Sequence, residues 1–213
     1  MKTSFENARG KVIVDDLVDV IRENKVSLSQ IDGAIGDGDH GINMAKGFTM
    51  AGERIGANAS LTEALQVLAD VLMGEIGGSM GPLYGGFFRG LMRPSKGKES
   101  IDAEAFASML EEAAGAIQRL GEAKVGDKTL VDALDPAVKA FRSAVSSGKT
   151  FAEALAEMSS AAEKGRDSTI GLVARIGRAS RLGERSRGVL DAGAASCCLI
   201  LQSMAKSITT LLQ

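Results

Sequence analysis

Apolar residues in this chain recur every three to four positions and almost never alternate, the period of helices buried on one face. Ile13, Leu17, Val20 and Ile21 mark a first amphipathic helix. A second is expected from about Ile42 to Ile55. Ser60 followed by Glu63 forms a capping-box pattern, and the helix it opens puts Leu61, Leu65, Leu68, Leu72 and Ile76 on one face. The stretch GGSMGPLYGG, residues 77–86, is a glycine-rich break or a helix start, and PSKGKESI, residues 94–101, reads as an exposed loop. A long helix follows from about Asp102 to Leu120. Another is expected to start near Asp127, with Pro136 marking a kink or a junction. Thr150 and Glu153 repeat the capping box. The segment from Lys164 to Gly188 is rich in Gly and Arg, and its periodicity specifies no element. A last helix from about Asp191 aligns Cys197, Leu201, Met204, Ile208 and Leu211. The run at residues 12–14 is too short for a strand and sits inside a helical window. The expectation is an all-α protein of about eight helices, one domain over residues 1–213, without internal repeats.

Composition supports this and narrows the function. The 213 residues are 45% hydrophobic, with one Tyr, no Trp and three Pro. Ala, Leu, Met and Glu, all helix formers, are abundant. A net charge of −2 gives no polyanion-binding balance, so no nucleic-acid partner is expected, although a local basic patch could bind phosphate. The opening MKTSFENARGK has no apolar signal region. No window approaches the roughly 20 apolar residues of a membrane span. A soluble, cytoplasmic protein without a membrane partner is therefore expected. Cys197 and Cys198 lie in an apolar run and read as buried thiols.

One stretch stands apart. IDGAIGDGDHGINM, residues 31–44, gathers Asp32, Asp37, Asp39, four glycines and the only histidine, His40. GDGDHG satisfies G-x-G-x-x-G literally, but the dinucleotide fingerprint needs a preceding strand, and two aspartates would repel a pyrophosphate. An EF-hand fails as well, since position twelve from Asp37 is Phe48 where a bidentate Glu is needed. GEAKVGDKT, residues 121–129, misses the P-loop spacing by one residue and follows no strand. Magnesium fits better. This hard cation takes oxygen ligands and sits between carboxylates and substrate phosphates, and three carboxylates suit a two-metal site. Once metals bind, the acidic loop attracts phosphate. His40 and Asn43 fall at the start of the second helix, where free N–H groups favour anions. The bland alternative is a solvated Asp-Gly turn, and it leaves the packed like charges unexplained.

Other segments offer phosphate contacts. GGSMGPLYGG could cradle a nucleotide with its amides or allow a tight helix approach, and the residues do not choose between these. In GDKT, cap chemistry explains the Asp and the hydroxyl equally well. Arg175, Arg178, Arg181, Arg185 and Arg187 could form a solvated face or supply one or two phosphate clamps. Asp191 is a natural N-cap.

Taken together, DGAIGDGDHGINM, GGSMGPLYGGFFRG, GDKTLVDALDPA and GRASRLGERSRGVLDAGA, in this order, resemble the nucleotide-binding L subunit of dihydroxyacetone kinase. The likeness covers nearly the whole chain. It implies a barrel of eight antiparallel helices with ADP or ATP at one end. Asp32, Asp37 and Asp39 would bind two Mg²⁺. His40, Gly41, Ile42, Asn43, Ser79 and Met80 would line the phosphate and nucleotide site. Gly121 and Leu130 would lie near the adenosine, and Arg178 with Asp191, Ala192 and Gly193 would close around the nucleotide. Ala192 stands where relatives often have Pro, Leu130 where they often have Met, and RSRGVL is more basic than the pattern. The resemblance further implies a separate K-type subunit that captures the triose carbonyl through a histidine. This chain has no histidine to spare for that role. Phosphoryl transfer would run from the nucleotide to dihydroxyacetone on that partner, with ADP rephosphorylated in place by a phosphotransferase-system subunit. The rivals are an ATP-dependent kinase for another short ketose such as erythrulose, and a non-catalytic nucleotide-binding regulator of a transcription factor.

Overall fold

The computed structural model describes residues 2–213, and helices dominate it. The elements are β1 (Ser4–Glu6), α1 (Lys11–Glu23), α2 (Lys25–Ile35), α3 (His40–Arg54), α4 (Leu61–Glu75), α5 (Met80–Ser95), β2 (Ser100–Asp102), α6 (Ala103–Leu120), α7 (Val131–Ser146), α8 (Phe151–Ser168) and α9 (Ala192–Leu211). Short 3₁₀ segments cover Asn7–Arg9, Thr169–Gly171 and Arg178–Ser186. Eight helices close a ring in the order α1, α3, α4, α5, α6, α7, α8, α9 and back to α1. The all-α expectation and the count of eight hold for this ring. A ninth helix, α2, stands outside it against α3 and α9. The apolar period passes over α2 because KVSLSQIDGAI buries only Leu28 and Ile35. The small antiparallel sheet pairs Phe5 with Ile101, and three residues are too few to show an alternating pattern.

Helices joined by short connections lie side by side and antiparallel, so directions alternate around the ring. Their apolar stripes meet inside. Phe48, Phe87 and Phe88 form one edge-to-face cluster, and Phe106, Phe141 and Phe151 form another. The glycines of α5 serve packing. A Cβ on Gly90 would lie 2.5 Å from the Ala113 Cα in α6, and one on Gly85 would lie 3.0 Å from the Met73 N in α4. For this part of GGSMGPLYGGFFRG the tight helix approach is the correct reading; Gly77 and Gly78, ahead of α5, face open space.

Pro136 does not divide α7, which runs through it. Proline cannot donate to the Asp132 carbonyl four residues earlier. That carbonyl faces Gly165 of α8, where a Cβ would come within 2.1 Å. α7 begins at Val131, later than expected, because Gly126 at φ +100° and Lys128 at φ +64° turn the chain out of helical space. The expected loop at 94–101 shortens to 96–99, since α5 runs on to the buried Ser95 and β2 takes Ser100–Asp102. Cys197 and Cys198 are free and buried, as expected. Among the described residues no helix is long and apolar enough to cross a membrane.

The Gly165 contact is testable. Gly165→Ala should lose roughly 1–3 kcal/mol in urea unfolding, because the new methyl meets backbone that cannot step aside. Gly74→Ala, in a helix with nothing within 4 Å of its added Cβ, should lose none.

Candidate metal and anion site

The alternating ring collects one kind of helix end on each rim. α4, α6 and α8 begin on one side, and each is closed by its own cap. Ser60 and Glu63 cap α4, Asp102 caps α6, and Thr150 and Glu153 cap α8. α3, α5, α7 and α9 begin on the other side. Three of these four, preceded by Asp39, Ser79 and Leu130, have no side-chain cap. Only Asp191 caps, accepting from the Ala194 N at 2.7 Å. The starts of α3 and α5 leave N–H groups and positive dipole ends facing one rim, whereas at α7 the Val131 amide donates to Thr129 Oγ1 at 3.2 Å and the next amides to the Thr129 and Leu130 carbonyls.

The acidic stretch lies on that rim. Asp32 belongs to the last turn of α2, not to the loop expected from Ile31 onward. Asp37 and Asp39 follow in the connection to α3. One carboxylate oxygen from each lies within 4.8 Å of the others, and Asp37 and Asp39 are exposed. Each such pair repels by about 1 kcal/mol even in bulk water. Two glycines make the cluster possible. A Cβ on Gly36 would lie 2.4 Å from Asp32 Oδ1, and one on Gly41 would lie 2.0 Å from the Lys25 carbonyl, blocking the approach of α2 to α3. Asp32 Oδ2 also accepts from the His40 backbone N at 3.3 Å. Arg178, at the head of the last 3₁₀ segment, pairs with Asp37. The other arginines do not join it. Arg175 pairs with Asp127 at 3.8 Å, Arg187 with Glu184 at 3.1 Å, and Arg181 and Arg185 are exposed.

The remaining predicted residues share this rim in two groups. His40, the first residue of α3, lies with Gly41, Ile42 and Asn43 in the uncapped first turn. Its imidazole Nε2 is 2.9 Å from Ser196 Oγ in α9. Burial holds the ring's pKa below its ordinary value, against the opposing pull of Asp32. Leu130 N and Cβ lie where a Cβ on Gly193 would meet them at 3.3 and 3.4 Å, so the start of α7 rests on the Asp191–Gly193 turn. Ala192 beside it is buried. Ser79 and Met80 start α5, and Gly121 ends α6. These three have no hydrogen bond to the acidic cluster among the described residues. Gly121 lines a cavity of about 860 Å³ together with Gln118, Val125, Val131, Asp135 and Lys139.

A buried polar network beneath this rim escaped the sequence reading. The Lys128 Nζ donates to the Thr169 and Val189 carbonyls at 2.5 and 2.6 Å. Burial lowers its pKa, while Asp191 and Asp132 oppose this. Asp132, also buried, accepts from the Gly126 and Thr129 amides at 2.6 and 2.7 Å. The capping carboxylate for GDKT is therefore Asp132, reaching back from the first turn of α7; Asp127 accepts from the Lys124 N instead. Thr169 Oγ1 accepts from the Asp191 N at 3.0 Å. The only sequence signal was a lysine and two aspartates inside one glycine-flanked turn.

An eight-helix ring with three clustered carboxylates at one rim defines an α-helical class whose acidic rim could hold a divalent cation. The chain matches the DAK2 domain over residues 34–206 and belongs to that family. It is 34% identical over 206 residues to the ADP-binding subunit DhaL of PEP-dependent dihydroxyacetone kinase 2 from Listeria innocua, covering 92% of each chain. It is 35% identical to the ADP-binding subunit DhaL of the PEP-dependent dihydroxyacetone kinase from Escherichia coli K12, covering 88% of this chain and 90% of that one. A crystal structure of the dihydroxyacetone kinase from C. freundii, in complex with AMP-PNP and Mg²⁺, shares the fold. Its TM-score is 0.68 at 22% identity, over 97% of this chain and 35% of that one.

Burial pushes the Asp191 carboxyl from an ordinary 3.8 up to about 6, against the opposing Ala194 amide and Lys128. The folded state thus binds this proton more tightly than the unfolded state, and stability from this group falls as pH rises from about 4 to about 6. Asn also caps well. Asp191→Asn should therefore flatten that slope, and at pH 7.5 it should stabilise the ligand-free protein by up to roughly 2–3 kcal/mol, measured by urea unfolding against pH.

Proposed function

We propose that this chain is the Mg-nucleotide-binding subunit of a dihydroxyacetone kinase, acting as one unit along its length. The observation that carries the proposal is the meeting of Asp32, Asp37 and Asp39 on the rim where α3 and α5 begin uncapped. Three carboxylates of this kind fit a hard divalent cation, and the uncapped amides fit the phosphates it would bring. Two Mg²⁺ would be held by Asp32, Asp37 and Asp39, and when bound they supply neutralising charge to the phosphate oxygens.

The chain's own residues then bind and orient. In the first turn of α3, Gly41 and Ile42 offer amides to the phosphates beside His40 and Asn43, whose own amides donate to Asp32 and to the Asp39 carbonyl, and Ser79 and Met80 at the head of α5 add theirs. Arg178 is mobile in reach: its guanidinium is exposed and already sits against the acidic cluster, so it can turn from Asp37 to a phosphate oxygen. Gly121, Leu130 and the Asp191–Gly193 turn flank the nucleoside side of the rim, beside the cavity at Gly121. The transferring phosphoryl group needs positioning and charge, and little covalent chemistry from the protein.

The single histidine is committed to Ser196 and the acidic loop, so no imidazole here is free to capture a ketone. The triose therefore sits on a separate K-type subunit. Both relatives above carry PEP-dependent in their names, which supports a scheme where ADP stays bound and a phosphotransferase-system protein rephosphorylates it.

Native mass spectrometry of freshly purified protein should find ADP with two Mg²⁺. With a K-type subunit present, label on the bound nucleotide should pass to dihydroxyacetone; a nucleotide that never transfers label to a triose would sink the kinase assignment. Asp37→Asn should lower Mg²⁺-dependent nucleotide retention by at least about tenfold, roughly 1.4 kcal/mol. Retention equal to wild type would remove the metal assignment.

A further inference from the structure

Ser196 and Tyr84 lie side by side in the floor of this rim, and the proposed chemistry uses neither. Tyr84, the only tyrosine, is in the second turn of α5, and Ser196 is in the second turn of α9. Both are buried. Ser196 Oγ has four polar neighbours: His40 Nε2 at 2.9 Å, Tyr84 OH at 2.5 Å, the Ala192 carbonyl at 3.0 Å and the Gly193 carbonyl at 3.1 Å. Tyr84 OH also lies 3.2 Å from the Gly193 carbonyl. One connected chain of hydrogen bonds therefore joins the starts of α3, α5 and α9.

We infer that Tyr84 and Ser196 are positioning residues that hold His40 as an Nε2–H donor and fix the spacing of three helix N-termini around the nucleotide phosphates. The inference rests on the proposed nucleotide site. It follows from counting protons. A serine hydroxyl has one proton and two lone pairs. The two carbonyls can only accept, so the serine proton goes to them. Both lone pairs are then left for Tyr84 and His40, and each must donate. The phenol is the more acidic hydroxyl, which suits it as the donor in the shortest contact. Giving the serine proton to the ring instead would leave the Ala192 carbonyl without a hydroxyl donor and the Gly193 carbonyl with only the longer Tyr84 contact at 3.2 Å. With the proton on Nε2, the neutral ring keeps its lone pair on Nδ1, which has no protein hydrogen-bond partner among the described residues. The chain thus sets both the ring's orientation and its tautomer.

The test uses the full-length protein with ¹⁵N-labelled histidine. One histidine gives one pair of ring signals. At pH 8 the wild type should show a protonated Nε2 and an unprotonated Nδ1. Ser196→Ala should give a mixture of tautomers and weaken Mg-ADP binding by about tenfold. Tyr84→Phe, which keeps the packing ring, should weaken it by about three- to tenfold and shift the same signals. Neither change should move the unfolding midpoint of the nucleotide-free protein by more than about 4 °C. A purely structural role predicts the reverse: a lower midpoint with unchanged ring signals. Wild-type Nδ1 protonation, or unchanged signals in both variants with normal wild-type binding, would overturn this inference alone. A wild type that binds no Mg-ADP would overturn the nucleotide reading and this role with it.

Discussion

Three carboxylates packed within 4.8 Å impose the constraint to which the rest of this molecule answers. Arg178 already pairs with Asp37, and positive charge nearby lowers the cost of such a cluster. A ring of helices with alternating direction provides this at one rim, where the starts of α3, α5, α7 and α9 gather. The caps follow the same polarity. Side chains close α4, α6 and α8 at the far rim, while Asp39 and Ser79 give no side-chain cap to α3 and α5 at the near rim. Fold and site therefore share one electrostatic axis.

Placing the cluster on that rim falls to α2, the helix outside the ring. It delivers Asp32 from its last turn, while Asp37 and Asp39 come from the connection that follows it. Gly41 lets α2 press onto the first turn of α3, and Gly36 leaves room for the Asp32 carboxylate. The cluster thus draws one carboxylate from a helix and two from a connection.

The opposite side of the rim is held by buried charge. Lys128 ties the 121–130 loop to the Thr169 and Val189 carbonyls, and Asp132 draws the same loop into a tight turn. Each buried ion is met by backbone groups, the condition under which burial of charge is tolerated. Leu130 and the Asp191–Gly193 turn are thereby fixed against each other. The hydroxyls of Tyr84 and Ser196 join α9 to α5 and α3. The rim is cross-linked by polar contacts in its floor, while its outer face stays open to a ligand.

The sequence alone determined what depends on neighbours along the chain. Helical periods, the two capping boxes and the Asp191 cap are local, and each was legible. The short span that carries Asp32, Asp37 and Asp39 was legible too, and the fold brings one carboxylate oxygen of each within 4.8 Å of the others. Tertiary structure decided the rest. α2 was invisible because it buries only two apolar side chains, and α7 continues past Pro136 with the freed Asp132 carbonyl facing a glycine on another helix. The glycines of α5 turned out to serve packing because Ala113 and Met73 approach from other helices. Lys128, Tyr84 and Ser196 gained their roles from partners 41 to 156 positions away. Ring closure sets contacts of that range, and no local pattern in the chain encodes them.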